Sequence, residues 1–206
     1  MRLYYSPGAC SLAPHIVARE AGVPIELVKV DLATKVTEHG EDFRTVNPKG
    51  SVPTLALSDG TILTEGAVIS QFLADRSPGA GLLPAQGTFE RYRALEWLNF
   101  VATELHKGFG PLWRTDTPAE MRTIVISMLG AKFGFLDTHL AHHNYLFGHR
   151  FGIGDAYAFT VLSWAPVVGI DLTQWPAVAA YVARIAARPS VRAALAAEGL
   201  LETVAA

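Results

Sequence analysis

The stretch SPGAGLLPAQGT (Ser77–Thr88), rich in glycine and proline, separates two kinds of sequence. Before it, short runs of strand-like periodicity alternate with helical ones. After it no convincing strand can be found, and the apolar residues recur at helical spacing. A chain patterned this way is expected to fold as an α/β domain followed by an all-α one: residues 1–77, a linker at 78–88, and a helical domain at 89–206.

In the first part, Arg2–Ser6 reads as a strand and Ser11–Ala21 as a helix stopped by Gly22, with Pro24 just beyond. Glu26–Asp31 alternates apolar and charged residues, as a half-buried strand does. Strand, helix, strand in that order implies a parallel pair joined by a crossover. Thr54–Ser58 and Thr61–Thr64 flank Asp59-Gly60, a hairpin signal, and Gly66–Arg76 reads as a helix. The order β-α-β, connector, β-β-α describes a small mixed sheet of thioredoxin-like type.

In the second part, helices are expected over Phe89–Leu112, Thr117–His142, Asp155–Val168, Pro176–Arg188 and Ser190–Ala197. Thr117-Pro118-Ala119-Glu120 offers a capping threonine, a proline at the first helical position and a glutamate to close a capping box. Ala156–Ile170 is the longest apolar stretch; it contains Pro166 and falls short of the ~20 residues a membrane span needs, so it reads as a buried core helix.

Composition narrows the function classes. Hydrophobic residues make up 50%, enough for a substantial core, and charged residues only 17%. The net charge is −2 and there is no Lys/Arg block, which argues against nucleic acid as a partner. No basic segment followed by an apolar stretch opens the chain, and a single cysteine can form no internal disulfide. A cytoplasmic protein with no membrane partner is expected.

That single cysteine, Cys10, lies in SPGACSLAPH, at a turn between the first strand and the first helix. The amides of Ser11, Leu12 and Ala13 begin the helix and are expected to point their N–H groups back toward Cys10. Such a place favours negative charge on sulfur, either the cysteine's own or a ligand's. An inert core cysteine is the alternative, but a core residue has no reason to occupy a Pro-Gly turn. With Pro7 and Ala13 where a second cysteine would stand, the site is monothiol and needs an external thiol to resolve a mixed disulfide.

Val52-Pro53 opens a strand. A cis proline there would turn the Val52 N–H and C=O outward for pairing with an extended peptide, whereas a trans proline would merely end a loop. Thr64-Glu65-Gly66 marks another strand-to-helix junction, where Gly66 admits a ligand carboxylate to the helix start and Glu65 can hold an ammonium. Lys35, in the connector, can meet a second carboxylate. A ligand with a thiol, an amine and two carboxylates, bound extended, fits these positions, and glutathione has those groups.

On the long helix, Leu95, Leu98, Ala102, Leu105, Phe109 and Leu112 form an apolar stripe expected to face the core. Tyr92, Glu96, Asn99, Thr103, His106 and Gly110 form a second stripe, too poor in charge for an ordinary solvated face. His106 can donate to a thiolate or help take its proton. HLAHH (His139–His143) has helical spacing for a metal but no nearby cysteine or carboxylate, and no metal is expected.

LYYSPGACSLAPHIV, DLATKVTEHGEDF, NPKGSVPTL, ILTEGAVI, EWLNFVATELHKG and DAYAFTVLSWAP together resemble the bacterial beta-class glutathione transferases along essentially the whole chain. The resemblance implies a thioredoxin-like domain, an all-helical domain and a homodimer, with glutathione as co-substrate and small hydrophobic electrophiles as partners. It implies that Cys10 meets the glutathione sulfur, Lys35 the glycyl carboxylate, Val52 the cysteinyl backbone, and Glu65 and Gly66 the γ-glutamyl end. It also puts Asn99, Thr103, Glu104, Leu105 and His106 in the glutathione site, with Cys10 and His106 carrying the chemistry. Phe109, Trp113 and Trp164 are the candidate walls of an electrophile pocket. One departure is Gly152, which stands where the family usually has Ser or Thr to cap the helix bearing Asp155. Ser11 is the next candidate to activate the sulfur, and Tyr5 is a further hydroxyl nearby. Thiol-disulfide exchange through Cys10, and non-catalytic carriage of apolar ligands, are the alternative activities.

Overall fold

The computed structural model describes residues 1–201, which divide into two compact units. The first is a five-stranded sheet with helices. Its strands are β1 (Arg2–Tyr5), β2 (Glu26–Asp31), β3 (Val36–Thr37), β4 (Thr54–Ala56) and β5 (Ile62–Thr64), in the spatial order β3-β2-β1-β4-β5. Among the described residues only β1 and β2 run parallel, pairing Leu3 with Leu27, and α1 (Leu12–Glu20) is their crossover. β4 and β5 form the expected antiparallel hairpin, with Gly60 in the left-handed conformation between them. The β3 strand, inside the connector, is too short to leave a period in the sequence.

Pleating decides what each strand buries. Tyr4, Val28, Val30, Phe43 and Val52 make one apolar cluster, with the Tyr4 and Phe43 rings 5.3 Å apart. Leu3, Leu55, Leu12, Ile16, Ile69 and Leu73 are also fully buried, the last two on α2 (Gly66–Asp75), which packs on α1.

The boundary expected at residue 77 differs from the observed one. Pro78–Ala80 forms a 3-10 turn, Leu82 and Leu83 are buried, and the first unit runs from Met1 to Leu83. It resumes at Ala187, because α8 (Pro189–Ala197) buries Val191 and Ala194 and packs on α1. Helical periodicity shows that α8 has an apolar face; it cannot show which unit receives that face.

The second unit, Pro84–Ala186, is helical. It holds α3 (Phe89–Phe100), a π-helical segment (Val101–His106), α4 (Lys107–Phe109), a 3-10 turn (Gly110–Trp113), α5 (Ala119–Leu140), α6 (Ile153–Leu162) and α7 (Pro176–Ala186). The expected single helix over Phe89–Leu112 is therefore continuous but not uniform. Its buried residues are Ala94, Leu98, Val101, Leu105, Phe109 and Leu112, so Ala94 and Val101 take the core-facing places expected of Leu95 and Ala102.

Two local expectations are corrected. Thr117 does not cap α5: its hydroxyl donates to the Pro111 carbonyl at 2.7 Å, and no side chain caps that helix start. The helix expected over Asp155–Val168 is not one helix. It ends at Leu162 and resumes as a 3-10 turn at Pro166, which cannot donate to a continuing helix. α6 itself is buried nearly all round, as a central core helix is. Its start at Gly152 is secured by Asp155, whose Oδ2 accepts from the Gly152 N–H at 2.9 Å.

Candidate active site

The first unit assembles one group of candidates around the β1–α1 turn. Gly8 adopts φ +71, a conformation that favours glycine, and the Ala9 N–H closes the turn on the Ser6 carbonyl at 3.0 Å. Cys10 is half-buried, and its Sγ–H donates to the Val52 carbonyl at 3.2 Å. The Val52-Pro53 bond is cis. At Gly66, an added Cβ would stand 3.4 Å from Pro53 Cγ and 4.0 Å from the Cys10 carbonyl oxygen. Cys10, Val52 and Gly66, far apart in sequence, thus lie together.

The amides behave differently from expectation. The Leu12 and Ala13 N–H groups donate to the Ala9 and Cys10 carbonyls, at 2.9 and 3.3 Å. Two of the three amides expected to face a sulfur anion are therefore engaged within the turn and the helix start. The Ser11 side chain is buried and closes the loop: its Oγ accepts from the Ser6 N–H and donates to the Ser6 carbonyl, both at 3.2 Å. A hydroxyl so engaged is a poor second candidate for sulfur activation. Burial, then the Glu198 and Glu38 charges, hold the Tyr5 phenol above its ordinary pKa.

Glu65 sits at φ 71, and its carboxylate accepts from the Lys49 ammonium of this chain at 2.8 Å. Lys49 also donates to Thr64 Oγ1 at 3.2 Å. Lys49 lies inside the NPKG motif, but nothing near it in the sequence points to Glu65, 16 residues on. Lys35 is half-buried at φ 62, and its side chain lies against the Asn47–Gly50 turn that leads to Val52.

Behind the turn is a polar network built on the buried His15 and Glu198, with no signal in the sequence. The Gly8 N–H donates to Glu198 Oε2 at 2.9 Å, His15 Nδ1 lies 2.8 Å from Glu198 Oε1, and Arg19 Nε–H donates to His15 Nε2 at 2.8 Å. Because Arg19 can only donate, His15 Nε2 is the acceptor and Nδ1 carries the proton. The network ties the cysteine-bearing turn to the end of α8.

The second unit assembles the other candidates. His106 closes the π-helical segment, and its Nδ1 lies 2.6 Å from the Tyr157 hydroxyl. The His106 ring meets Trp164 edge-on at 5.0 Å, and Trp164 in turn meets Phe109 and Trp113, each at 5.7 Å. The three aromatics therefore share one cluster with His106. Trp113 is 48% exposed, but Phe109 has no exposed surface and packs behind Trp164 instead of forming a wall. Leu105 is likewise fully buried, so its side chain belongs to the core stripe and not to a ligand surface. Asn99 and Thr103 are exposed, with the Thr103 hydroxyl donating to the Asn99 carbonyl at 3.0 Å. Glu104 is clamped by Lys132, whose Nζ reaches its carboxylate at 2.9 Å and its carbonyl at 2.8 Å.

In the HLAHH segment, His139 and His143 stack face to face at 4.2 Å. His139 Nε2 lies 3.1 Å from the Leu146 carbonyl, and burial, then His143, lowers the His139 pKa. Among the described residues no three His, Cys, Asp or Glu side chains gather as a metal site, and no helix is long and apolar enough to cross a membrane.

Family models match both units: "Glutathione S-transferase, N-terminal domain" over residues 8–76 and "Glutathione S-transferase, C-terminal domain" over residues 100–189. Glutathione S-transferase GstA of Escherichia coli O157:H7 is 50% identical over 200 residues, covering 97% of this chain and all of that one. This chain belongs to the glutathione S-transferase family. A sphingomonad glutathione S-transferase solved with glutathione superposes with a TM-score of 0.94 at 47% identity, over 98% of this chain and 100% of the other. The bacterial beta-class enzyme of Sphingomonas chungbukensis gives the same TM-score, identity and coverage. The transferase is thus of the bacterial beta class, with a thioredoxin-like unit and a helical unit, and it is an enzyme that uses glutathione.

Proposed function

We propose that this transferase joins the sulfur of glutathione to small hydrophobic electrophiles. Glutathione lies extended, with its thiol at Cys10 and its cysteinyl backbone paired to Val52. Lys35 meets the glycyl carboxylate, and Glu65, oriented by Lys49, meets the γ-glutamyl ammonium beside Gly66. Asn99, Thr103 and Glu104 add polar contacts from the helical unit. His106 takes the thiol proton at a ring nitrogen, the sulfur bonds to the electrophilic carbon, and a leaving group such as chloride departs with the electron pair of its broken bond. Trp164 and Trp113 offer the electrophile an apolar surface. The step needs no metal, because a thiolate is itself the nucleophile.

The observation that carries this reading is the Sγ–H contact of Cys10 with the Val52 carbonyl at 3.2 Å, with Gly66 close beside it. The thiol stands where a peptide-like ligand would pair. The test is steady-state conjugation of a chloronitrobenzene by the wild type, Cys10→Ala and His106→Ala. Loss of His106 should lower kcat at least about tenfold, the scale of general-base catalysis. Loss of Cys10 should impair exchange with glutathione disulfide more than conjugation. Equal and complete loss of conjugation in both variants would contradict this division of roles. Glutathione binding without turnover of any electrophile would point to a carrier.

A cytoplasmic homodimer serving detoxification is part of the same reading. Phe89, Tyr92, Met128 and Phe135 are exposed on α3 and α5, an apolar surface that a second copy can cover. Sedimentation equilibrium distinguishes a pair from a 22.2 kDa monomer.

A further inference from the structure

We infer that Asn47 is a positioning residue for glutathione. Its side-chain amide holds the Ser51 carbonyl, and so aims the N–H at the other end of the same peptide unit, that of Val52, at the carbonyl of the ligand's cysteinyl residue. This rests on the reading above that the cysteinyl backbone pairs with Val52.

Asn47 opens the NPKG motif and is 2% exposed, yet every polar group it has is engaged. Its backbone N–H donates at 2.9 Å to the carbonyl of Phe43, a fully buried member of the apolar cluster in the first unit. Its own carbonyl accepts from the Gly50 N–H at 2.8 Å, and Oδ1 accepts from the Lys49 N–H at 3.1 Å. Nδ2 carries two hydrogens, and both donate at 2.9 Å, one to the Ser51 carbonyl and one to Thr54 Oγ1. Thr54 is fully buried at the start of β4, and its hydroxyl donates to the same Ser51 carbonyl at 3.1 Å. The Ser51 oxygen thus receives two donors from buried side chains, one from before it in the chain and one from after it.

A peptide unit is planar, and in its trans form the C=O and the N–H point in opposite directions. The Ser51–Val52 bond is trans. Two donors on the Ser51 oxygen therefore fix where the Val52 N–H points, which is away from Asn47 and Thr54. That N–H meets no acceptor among the described residues, although Val52 is only 8% exposed and buried backbone donors are nearly always paired. The Val52 carbonyl lies at Cys10 Sγ, 3.2 Å away. A donor and an acceptor on one residue, beside the thiol, are the two groups with which an extended peptide pairs. The run from Asn47 to Pro53 forms neither helix nor strand, so no ladder of backbone bonds holds it. Without the Asn47 amide it would sample other peptide orientations, and the ligand would have to order it on binding. With the amide in place, Val52 is already aimed when the ligand arrives.

The test compares two ligands by titration calorimetry on the whole protein. One is glutathione. The other is an analogue in which a trans carbon–carbon double bond replaces the cysteinyl-glycine peptide bond, so that the cysteinyl carbonyl and the glycyl N–H are gone while the thiol, the ammonium and both carboxylates remain. The wild type should bind the analogue about tenfold more weakly than glutathione, the scale of one hydrogen bond. Asn47→Ala should bind glutathione about tenfold more weakly than the wild type does, and its preference for glutathione over the analogue should narrow to about threefold or less. The narrowing is expected because the lost orientation and the lost carbonyl remove the same contact, so their effects do not add. Thr54→Val keeps Asn47 and the shape of the side chain, and it should narrow the preference in the same direction. Variants that weaken both ligands equally and keep the full tenfold preference would overturn the assignment, because a merely structural role moves both ligands together. Equal binding of the two ligands by the wild type would instead remove the pairing with Val52 on which the assignment rests. If Asn47→Ala folds poorly, the comparison on Thr54→Val decides, and an undiminished preference there overturns the assignment.

Discussion

Gly66 opens α2 with a backbone conformation open to any residue, so its dihedral angles do not ask for glycine. A Cβ there would meet Pro53 Cγ at 3.4 Å, an ordinary contact, and alanine favours a helix over glycine. The methyl would instead take up space beside the Cys10 carbonyl, where the γ-glutamyl end is proposed to approach. Gly66→Ala should therefore leave stability to urea within about 1 kcal/mol of wild type. It should raise KM for glutathione about tenfold, the scale of one lost 1.4 kcal/mol contact. An unchanged KM would take Gly66 out of the ligand site. The neighbouring Lys49–Glu65 pair is more than half exposed on both sides, so its contribution to stability is within about 1 kcal/mol and its use is to orient Glu65. Sequence showed Glu65 as a candidate ammonium holder, but the Lys49 ammonium comes from 16 residues away and only the folded hairpin brings it near.

Among the elements, the joint between α6 and α7 depends on one carboxylate. Asp155 Oδ1 accepts from the Leu146 N–H at 2.9 Å and the Tyr181 hydroxyl at 2.8 Å, while Oδ2 accepts from the Gly152 N–H. Burial first, and the Asp155 charge second, push the Tyr181 phenol well above its ordinary pKa. In the unfolded chain that phenol titrates near pH ~10, so its contribution to stability is complete below that pH and is lost as pH rises beyond it. Wild-type unfolding in urea should show a fall in stability from about pH 10 upward. Tyr181→Phe should be less stable at neutral pH by about 2 kcal/mol, having lost a hydrogen bond to a charged acceptor, yet show a shallower alkaline fall. Parallel alkaline slopes in the two proteins would contradict this. At the same scale, uniform 3.6-residue spacing read the long helix correctly at Leu98 and Phe109. It could not register the π-helical turn at Val101–His106, because one widened turn leaves the apolar pattern nearly intact.

For the whole molecule, the thioredoxin-like unit is made of two pieces of chain. Residues from Ala187 return to it, bringing Val191 and Ala194 to bury and Glu198 to hold both His15 and the Gly8 amide. A chain ending at Ala186 would strip these partners from a buried histidine and a half-buried turn. Breaking a buried pair by removing one partner costs about 3–5 kcal/mol. At about 2–4 °C per kcal/mol for a chain of this size, the truncated protein should melt roughly 10 °C lower or accumulate unfolded. Native-like thermal unfolding of that truncation would show that the first unit is complete without its last helix.

By itself the amino-acid sequence determined what depends on near neighbours: the stop of α1 at Gly22, the Asp59-Gly60 hairpin, the alternation of Glu26–Asp31, the change to helical periodicity after Thr88, and a cysteine set in a turn. Each is a choice of backbone conformation made within a few residues, and local sterics and patterning suffice for it. Only the tertiary structure decided that Cys10 meets a carbonyl 42 residues on, that Glu198 anchors Gly8 across 190 residues, that α8 belongs to the first unit, and that Tyr157 stands at His106. Those pairings must overcome the entropy of closing long loops and are selected by the packing of all elements together, which no local window of sequence contains.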